Sequence, residues 1–474
     1  MVKKNIAAVA ALLLAGLTLQ AKVSLPSFFS DNMVLQQQSE VAVWGTTDKG
    51  AVKVKVSPSW TRRKYTATAG EDGRWFLRIP TPAAGGPFSI TFSDGDKTVI
   101  RNVLLGEVWF CSGQSNMEMT MTGFNSQPVA GAADVIVSAK ASAPIRMCTI
   151  EKKASLKPLD SAKGSWMENT PEAVAGTSAV AYFFAMRLQS ALNVPVGILI
   201  SDWGGTPIEA WMSRETIEGG FGGEFDLSFL DGDTLPDRAK RRPCTLFNGQ
   251  IAPLIPFTFK GMLWYQGENN RTQPELYSRL QPAYIKMMRT LFRNPDVPFY
   301  YVQIAPYKYG NPEHETIGYF YEAQEKTMAL VPNCGMAATV DIGEFGTIHP
   351  CRKKEVGDRL ALLALTRTYG VKGIEADSPS FKEAVFEDGK AIVTMNVGKT
   401  GLSPMGRDLT GFELAGEDGV YYPATGIVKD KIKVEVSSPE VPAPVAVRYC
   451  FRNWSQGTLY NCFGIPALPF RSDK

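Results

Sequence analysis

Three patterns of hydrophobic and polar positions follow one another along the chain. In the first, over residues 22–103, short runs alternate apolar and polar residues, and turns rich in glycine and aspartate separate them. Strict alternation is typical of β-strands that bury one face. This stretch therefore predicts an N-terminal β-sandwich domain. Its predicted strands are Val41–Gly45, Val52–Val56, Tyr65–Ala69, Trp75–Ile79 and Phe88–Phe92.

The second pattern, over residues 104–370, alternates apolar runs of strand length with helical stretches. Residues 105–111 and 196–201 are such runs, and the stretch from 179 to 193 between them has helical character. Strands that alternate with helices predict a parallel sheet flanked by helices. Further strands are predicted at 259–265, 299–305 and 335–340, and further helices at 275–292, 318–330 and 353–368.

Alternating runs return in the third stretch, residues 371–474, and predict a C-terminal β-rich domain. The apolar segment at 459–470 is expected to pack back on the middle domain. The fold class predicted for the whole chain is therefore α/β, a parallel sheet flanked by helices with accessory β-sandwich domains before and after it.

Four predicted strands of the middle domain end in unusual loops rich in glycine, tryptophan and side-chain amides. Because the carboxyl ends of parallel strands meet at one edge of a sheet, where ligands bind, we expect these loops to converge on one site. The loops are Ser112–Asn116, Asp202–Met212, Gln266–Asn270 and Asp341–Pro350.

Ser115, in the first of these loops, is a candidate nucleophile. A serine nucleophile needs a base that titrates near neutral pH, usually a histidine. The chain has two histidines, His314 and His349. His349 lies in a strand-end loop just before a predicted helix, whereas His314 lies in a polar connection. The sequence therefore favours His349 as the base.

The same loops offer donors for an oxyanion hole. Backbone N–H groups and side-chain amides stabilise the negative charge that develops in ester hydrolysis. The N–H groups of Ser115 and of Gly204 or Gly205 are candidates, and an amide of Gln266, Asn269 or Asn270 would add to them.

Composition narrows the classes of ligand. The chain has 50 basic and 47 acidic residues, so nothing indicates a nucleic-acid partner. It has two histidines and no Cys-x-x-Cys pair, and we therefore expect neither a metal site nor a cofactor. Among its seven cysteines, Cys450 and Cys462 are the pair predicted to form a local disulfide.

Residues 1–21 predict a signal peptide. Lys3 and Lys4 precede an apolar run from Ile6 to Leu17, and Ala21 is a small residue suited to cleavage. The run is too short to span a bilayer comfortably, so no stable membrane insertion is expected. The predicted location is secreted or periplasmic.

Four motifs in order resemble the sialate O-acetylesterase family, a branch of the SGNH hydrolases. They are Gly113–Met117, Trp203–Trp211, Trp264–Glu268 and Ile348–Pro350. The resemblance implies metal-free hydrolysis of O-acetyl esters on sugars, through an acyl-enzyme with Ser115 as nucleophile and His349 as base. It points to Gln266 and Asn270 as the oxyanion amides. Three further residues of these motifs are candidates for contacts with the sugar, namely Trp203, Trp211 and Glu268.

The third member of a triad is less well defined. Many SGNH enzymes carry an acid three residues before the histidine, but Gly346 stands there, and Thr347 follows it. Asp341 is the first choice to orient His349. Glu344, or a backbone carbonyl in a Ser–His dyad, remains as an alternative.

The identity of the acetylated sugar also stays open. O-acetylated sialic acid is the leading substrate, and Arg271 and Arg352 are candidates to bind its carboxylate. Acetylated xylan or pectin is the alternative for the same chemistry. A different class, a non-catalytic periplasmic glycan-binding protein, is disfavoured because Ser115 and His349 are both present. Oligomeric state is not readable from the sequence.

Overall fold

The computed structural model describes residues 23–48 and 50–473. The predicted signal peptide, residues 1–21, lies outside these residues. Within them, two β-rich regions flank a mixed α/β region.

The N-terminal region folds into two small antiparallel sheets. β2 pairs with β5, while β3 pairs with both β4 and β6. The sheets meet through residues such as Trp75 and Phe92, whose rings lie 5.8 Å apart. The strands are β1 (Val34–Gln36), β2 (Glu40–Thr46), β3 (Lys53–Pro58), β4 (Tyr65–Thr68), β5 (Arg74–Pro80) and β6 (Gly85–Ser93).

The next strand, β7 (Lys97–Gly113), is 17 residues long and belongs to both regions. Its first part pairs antiparallel with β6, and its last seven residues pair with the strand Val196–Asp202 of the middle region. Residues Lys97 to Asn102 include both exposed and buried positions, whereas every residue from Val103 to Gly113 is buried. The domain boundary predicted between residues 103 and 104 therefore falls inside one continuous strand.

The central sheet has the order β13-β12-β11-β7-β10-β8-β9. All its neighbours pair in parallel except β8 and β9, which are antiparallel. The remaining strands are β8 (Ile145–Thr149), β9 (Trp166–Met167), β10 (Val196–Asp202), β11 (Gly261–Tyr265), β12 (Phe299–Val302) and β13 (Cys334–Ala337).

Helices cover both faces of this sheet. Alternate residues of β11 point to opposite faces: Trp264 packs in the core that contains α6, and Tyr265 in the core that contains α4 and α8. The helices are α1 (Ser115–Glu118), α2 (Ala132–Ser138), α3 (Pro171–Ala175), α4 (Ala179–Leu192), α5 (Arg214–Phe221), α6 (Pro274–Leu291), α7 (Thr316–Leu330) and α8 (Lys353–Leu363).

Short helical turns connect several of these elements. The 3₁₀ turns are Ile208–Trp211, Ser228–Asp231, Ala239–Arg241 and Ala252–Leu254. The π turns are Phe247–Ile251 and Ala364–Thr368. The last of them continues α8, so the helix predicted over 353–368 changes its hydrogen-bond pattern after Leu363.

The C-terminal region forms a seven-stranded antiparallel sheet of order β14-β15-β19-β18-β17-β20-β22 and a separate β16–β21 pair. Arg471, at its end, forms an ion pair with Glu322 of α7 and so ties this sheet to the middle region. The strands are β14 (Ser380–Glu387), β15 (Lys390–Asn396), β16 (Leu402–Ser403), β17 (Leu409–Ala415), β18 (Tyr421–Val428), β19 (Lys433–Ser437), β20 (Ala446–Tyr449), β21 (Tyr460–Asn461) and β22 (Phe470–Arg471).

The disulfide predicted between Cys450 and Cys462 is not formed. Cys450 is buried with a free thiol, and the exposed Cys462 thiol donates to the carbonyl of Thr400 over 3.2 Å. None of the helices in the described residues has the length and apolar character needed to cross a membrane.

Candidate active site

The turn after β7 brings Ser115 to the edge of the central sheet. Gly113 has a φ of +147°, and a Cβ there would lie 2.1 Å from the carbonyl oxygen of Tyr265. Only glycine permits this close approach of the ends of β7 and β11. The N–H of Gln114 then donates to the same Tyr265 carbonyl over 2.9 Å, and Ser115 begins α1.

His349 lies next to Ser115, as the sequence predicts. Its Nε2 is 2.8 Å from the Ser115 Oγ, and its Nδ1 is 2.7 Å from the amide oxygen Oε1 of Gln127. An amide oxygen only accepts, so Nδ1 carries the proton and Nε2 is left to accept from the serine hydroxyl. Gln127 thus fixes the tautomer that a general base requires.

Gln127 lies in a tight turn that also brings Phe124 to the imidazole. The backbones of these two residues exchange two hydrogen bonds of 3.0 Å, and the Phe124 ring meets the His349 ring edge-on at 5.2 Å. Gly123 makes the turn possible, because a Cβ there would lie 2.2 Å from the Gln127 carbonyl oxygen. Sequence reasoning misses Gln127, which stands in a polar loop and matches no strand-end pattern.

Asp341, the first choice to orient His349, does not contact it. Both of its carboxylate oxygens accept from the Arg359 guanidinium of α8, at 2.8 and 2.7 Å. The alternative, Glu344, accepts from the backbone N–H of Cys351 over 2.6 Å. Both carboxylates are therefore bound elsewhere, and the amide of Gln127 contacts His349 where an acid is expected.

The surroundings of His349 keep it neutral. Burial disfavours the imidazolium, and the nearby Lys353 ammonium repels it, so the pKa of His349 is lowered to about 4. Near pH 7 the ring is therefore unprotonated and ready to accept a proton. No carboxylate hydrogen-bonds to the ring to offset this lowering among the described residues.

The side chain of Asn116 joins the serine turn to the histidine loop. Its amide nitrogen donates to the carbonyl of Ile348 over 3.1 Å and to Glu268 over 2.5 Å, while its amide oxygen accepts from Lys353. Burial lowers the pKa of Lys353 to about 7 and raises that of Glu268. This buried cluster lies beneath the Ser–His pair. Glu268, predicted to contact sugar, is instead part of this scaffold.

The turn Gly204–Gly205 packs directly against Ser115. A Cβ on Gly204 would lie 3.1 Å from the Ser115 Cβ, so a larger residue would press against Ser115. The N–H of Gly204 donates to Glu118 and is not available as an oxyanion donor. The N–H groups of Ser115 and Gly205 have no hydrogen-bond acceptor within the part of the chain described.

The predicted oxyanion amides, Gln266 and Asn270, are not free. The Gln266 amide nitrogen donates to Asn270 over 2.7 Å and to the Thr206 carbonyl over 3.2 Å, and the Asn270 amide nitrogen donates to Glu209 over 2.9 Å. Both side chains are buried. Because buried polar groups need hydrogen-bond partners, these amides bond to neighbouring loops and hold the loops together.

Comparison with known proteins identifies the family. The profile described as carbohydrate esterase, sialic acid-specific acetylesterase, matches residues 105–365. The sialate O-acetylesterase of Rattus norvegicus is 30% identical over 414 residues, covering 74% of this chain and 75% of the relative. The Homo sapiens sialate O-acetylesterase is 30% identical over 392 residues, covering 74% and 72%.

The chain belongs to the sialic acid-specific acetylesterase family. The resemblance inferred from its four motifs is thereby confirmed, as is its assignment to the carbohydrate esterases. A solved carbohydrate acetylesterase from Xanthomonas citri is 34% identical and superposes with a TM-score of 0.85, covering 96% of this chain and 100% of that one. That similarity extends through both β-rich regions.

Two tryptophans of this acetylesterase occupy different environments. Trp211 is fully buried, and its indole N–H donates to the Thr206 hydroxyl over 3.0 Å, so it is a core residue and not the predicted sugar contact. Trp203 stays half-exposed beside the Gly204–Gly205 turn. It therefore remains available to a ligand.

The arginines predicted to bind a carboxylate already have partners in the acetylesterase. Arg352 forms an ion pair of 2.8 Å with Glu355. Arg271 donates to the Glu268 carbonyl over 2.9 Å and stacks on the ring of Tyr309. The second histidine, His314, lies in a loop that contacts the C-terminal region through Asn453.

Proposed function

We propose that this protein is a serine esterase that removes O-acetyl groups from sugars through a Ser115–His349–Gln127 arrangement, with O-acetylated sialic acid as the leading substrate. The observation that carries the proposal is the 2.8 Å contact between Ser115 Oγ and His349 Nε2. Ser115 follows the end of the central parallel strand β7, and this position supports an SGNH-hydrolase-like fold.

The geometry supports an acyl-enzyme mechanism. His349 Nε2 takes the hydroxyl proton as Ser115 Oγ attacks the acetyl carbonyl. The resulting oxyanion lies against the free N–H groups of Ser115 and Gly205. His349 then gives its proton to the departing sugar hydroxyl, and the acetyl group stays on the serine. A water molecule then attacks this ester as His349 takes its proton, and His349 returns that proton to Ser115 Oγ as acetate leaves.

Gln127 takes the place of the usual acid in this mechanism. Its amide oxygen holds the Nδ1–H of His349 and so aims Nε2 at the serine. It contributes orientation but no negative charge, and the imidazolium formed during the reaction is less stabilised than it would be beside a carboxylate.

The substrate assignment rests on the relatives. The curated relatives from rat and human are sialate O-acetylesterases, which supports acetylated sialic acid. The solved relative from Xanthomonas citri bears the broader description of carbohydrate acetylesterase, which keeps acetylated xylan or pectin as the second candidate. A secreted or periplasmic location, supported by the sequence of residues 1–21 alone, belongs to the same proposal.

Replacement of the nucleophile tests the proposal. Ser115→Ala should lower hydrolysis of p-nitrophenyl acetate by roughly a thousandfold or more, because the acyl-enzyme is lost. Ser138→Ala, at an exposed serine of α2, serves as the matched control and should keep wild-type activity. Melting curves of both variants check the fold. Wild-type rates in Ser115→Ala would refute the serine mechanism. Acetate release from acetylated sialic acid, compared with acetylated xylan, then chooses the substrate.

A further inference from the structure

Two basic side chains lie on the Gly204–Gly205 turn that packs against Ser115. The Lys240 ammonium donates to the Gly204 carbonyl over 2.7 Å. The Arg241 guanidinium lies 3.4 Å from the position a Cβ on Gly205 would take. One short turn therefore separates these cations from the nucleophile. Neither residue belongs to the sequence-based site, because the segment 237–242 follows no strand.

The positive charge on this side of the site exceeds the negative charge. The nearby carboxylates are Glu118, which already binds Lys152 and the N–H of Gly204, and the buried Asp202, whose charge interacts with those of Lys152 and Glu118. The ammonium of Lys240 rests 5.6 Å from the ring centre of Trp203. Arg241 is exposed and forms no ion pair with a carboxylate in residues 23–48 and 50–473.

The cations of this turn repel one another, and a bound anion would reduce that repulsion. The pKa of Lys240 is lowered mainly by burial. The charge of Glu118 raises it, and the charges of Arg241 and Lys152 lower it further. A bound carboxylate would interact favourably with both cations at once, and the planar guanidinium suits two-point binding of a carboxylate. Gly205, which lacks a side chain, leaves the guanidinium accessible from the turn.

We propose that Lys240 and Arg241 form an anion subsite that binds the carboxylate of the acetylated sugar. This inference rests on the proposed function, because it takes Ser115 as the point where the ester reacts. Trp203, half-exposed beside Lys240, supplies an apolar surface for the ring. The subsite selects acidic sugars, such as sialic acids or the galacturonic acid of pectin, over the neutral sugars of xylan.

The first experiment compares an acetylated sialic acid with its methyl ester, in which the carboxylate charge is removed. Wild-type kcat/KM should favour the acid by roughly tenfold, since the subsite is partly open to solvent. Arg241→Gln should bring that ratio close to one, and Arg241→Lys should keep part of it. Arg242→Gln, at the neighbouring exposed arginine, is the control and should keep the wild-type ratio.

A binding experiment tests the subsite without relying on catalysis. Calorimetry measures the binding of unacetylated N-acetylneuraminic acid and of galacturonic acid to wild type, Arg241→Gln and Arg242→Gln. The sugar that binds wild type more tightly is the one that the subsite accepts. We expect Arg241→Gln, and not Arg242→Gln, to lower the affinity for that sugar by roughly tenfold. Equal binding by all three proteins, or a wild-type ratio of one between acid and methyl ester, would overturn the subsite. Absence of esterase activity in the wild type would refute the proposed function, and the calorimetric comparison would still test the subsite by itself.

Discussion

At the scale of single residues, the amide of Gln127, which stands where a carboxylate is usual, changes the titration of His349, the proposed base. A carboxylate beside an imidazole stabilises the charged ring and raises its pKa. The Gln127 amide does not, and burial together with Lys353 keeps the pKa of His349 at about 4. The base therefore stays unprotonated in weakly acidic solution, where a histidine of ordinary pKa would be charged.

We expect Gln127→Glu to move the acidic limb of the kcat/KM profile to higher pH. Only neutral His349 can accept the serine proton, so wild-type activity should fall as the pH drops through about 4. A glutamate at this position stabilises the imidazolium, so the midpoint of the acidic limb should move up by about one to three pH units. Rates on p-nitrophenyl acetate across the acidic range measure it.

The matched control is Gln127→Ala, which removes the acceptor without adding charge. It should lower kcat while the limb stays near the wild-type position, since no carboxylate stabilises the imidazolium. A limb that does not move in Gln127→Glu would contradict the contact between Gln127 and His349.

Sequence reasoning succeeds at this scale where the number of candidates is small. Ser115 ends a buried strand and the chain has two histidines, so the pair that the structure brings together is within reach of the sequence. The group that orients His349 cannot be predicted in this way. Asp341 suits the role by its place in the sequence, but Arg359, eighteen residues later, binds its carboxylate. Contacts of this kind depend on where α8 packs, which local pattern does not reveal.

At the scale of elements, the Gly204–Gly205 turn limits the space beside Ser115, the proposed nucleophile. It closes the end of β10 over α1, and it accepts a hydrogen bond from Lys240 while donating one to Glu118. A change of shape in this turn moves Ser115 relative to the Gly205 N–H. Displacements of about 1 Å at a reacting group cost roughly a hundredfold in rate.

Gly204→Ala should therefore lower kcat by roughly a hundredfold while the protein stays folded. The added methyl group would lie 3.1 Å from the Ser115 Cβ, so Ser115 or the turn must give way, while the Glu118 carboxylate, 2.6 Å away at the end of a flexible side chain, can move aside. Steady-state rates and a melting curve measure the two effects separately. Gly219→Ala, in α5 where a Cβ meets nothing within 4 Å, is the control. Full activity in Gly204→Ala would show that the turn tolerates displacement.

The elements with a clear apolar period can be predicted to within one or two residues. Helix α4 is predicted at 179–193 and runs Ala179–Leu192, and α6 is predicted at 275–292 and runs Pro274–Leu291. Helix α5 is missed because it contains Gly219 and Gly220, which weaken a helical pattern. Strand β18 is missed because most of its side chains lie at least partly exposed.

At the scale of the whole molecule, a network around Arg448 fastens the C-terminal sheet to the central region. This largely buried guanidinium pairs with Glu315 next to α7 and with Asp473, and it stacks 3.8 Å from the centre of the Tyr421 ring. The sequence predicts that the end of the chain packs on the middle region. It contains no indication of which charges join the two.

Arg448→Met should lower the free energy of unfolding by about 2 kcal/mol. Removing the guanidinium leaves two half-buried carboxylates without their cation, and their partial exposure keeps the cost below that of a fully buried pair. Chemical denaturation, followed by fluorescence, measures the loss. Arg62→Met, at an exposed position, should leave stability unchanged. A loss of stability equal to that of this control would show that the network contributes little.

Strand β7 limits how the protein can be divided or can move. Its 17 residues extend for about 55 Å, from the N-terminal β region to the turn that carries Ser115, with no linker between them. The N-terminal region is therefore not a tethered module that swings independently of the catalytic edge. Deletion up to residue 103 would remove the first seven residues of this strand. We expect thermal unfolding of the two regions to occur as one cooperative transition.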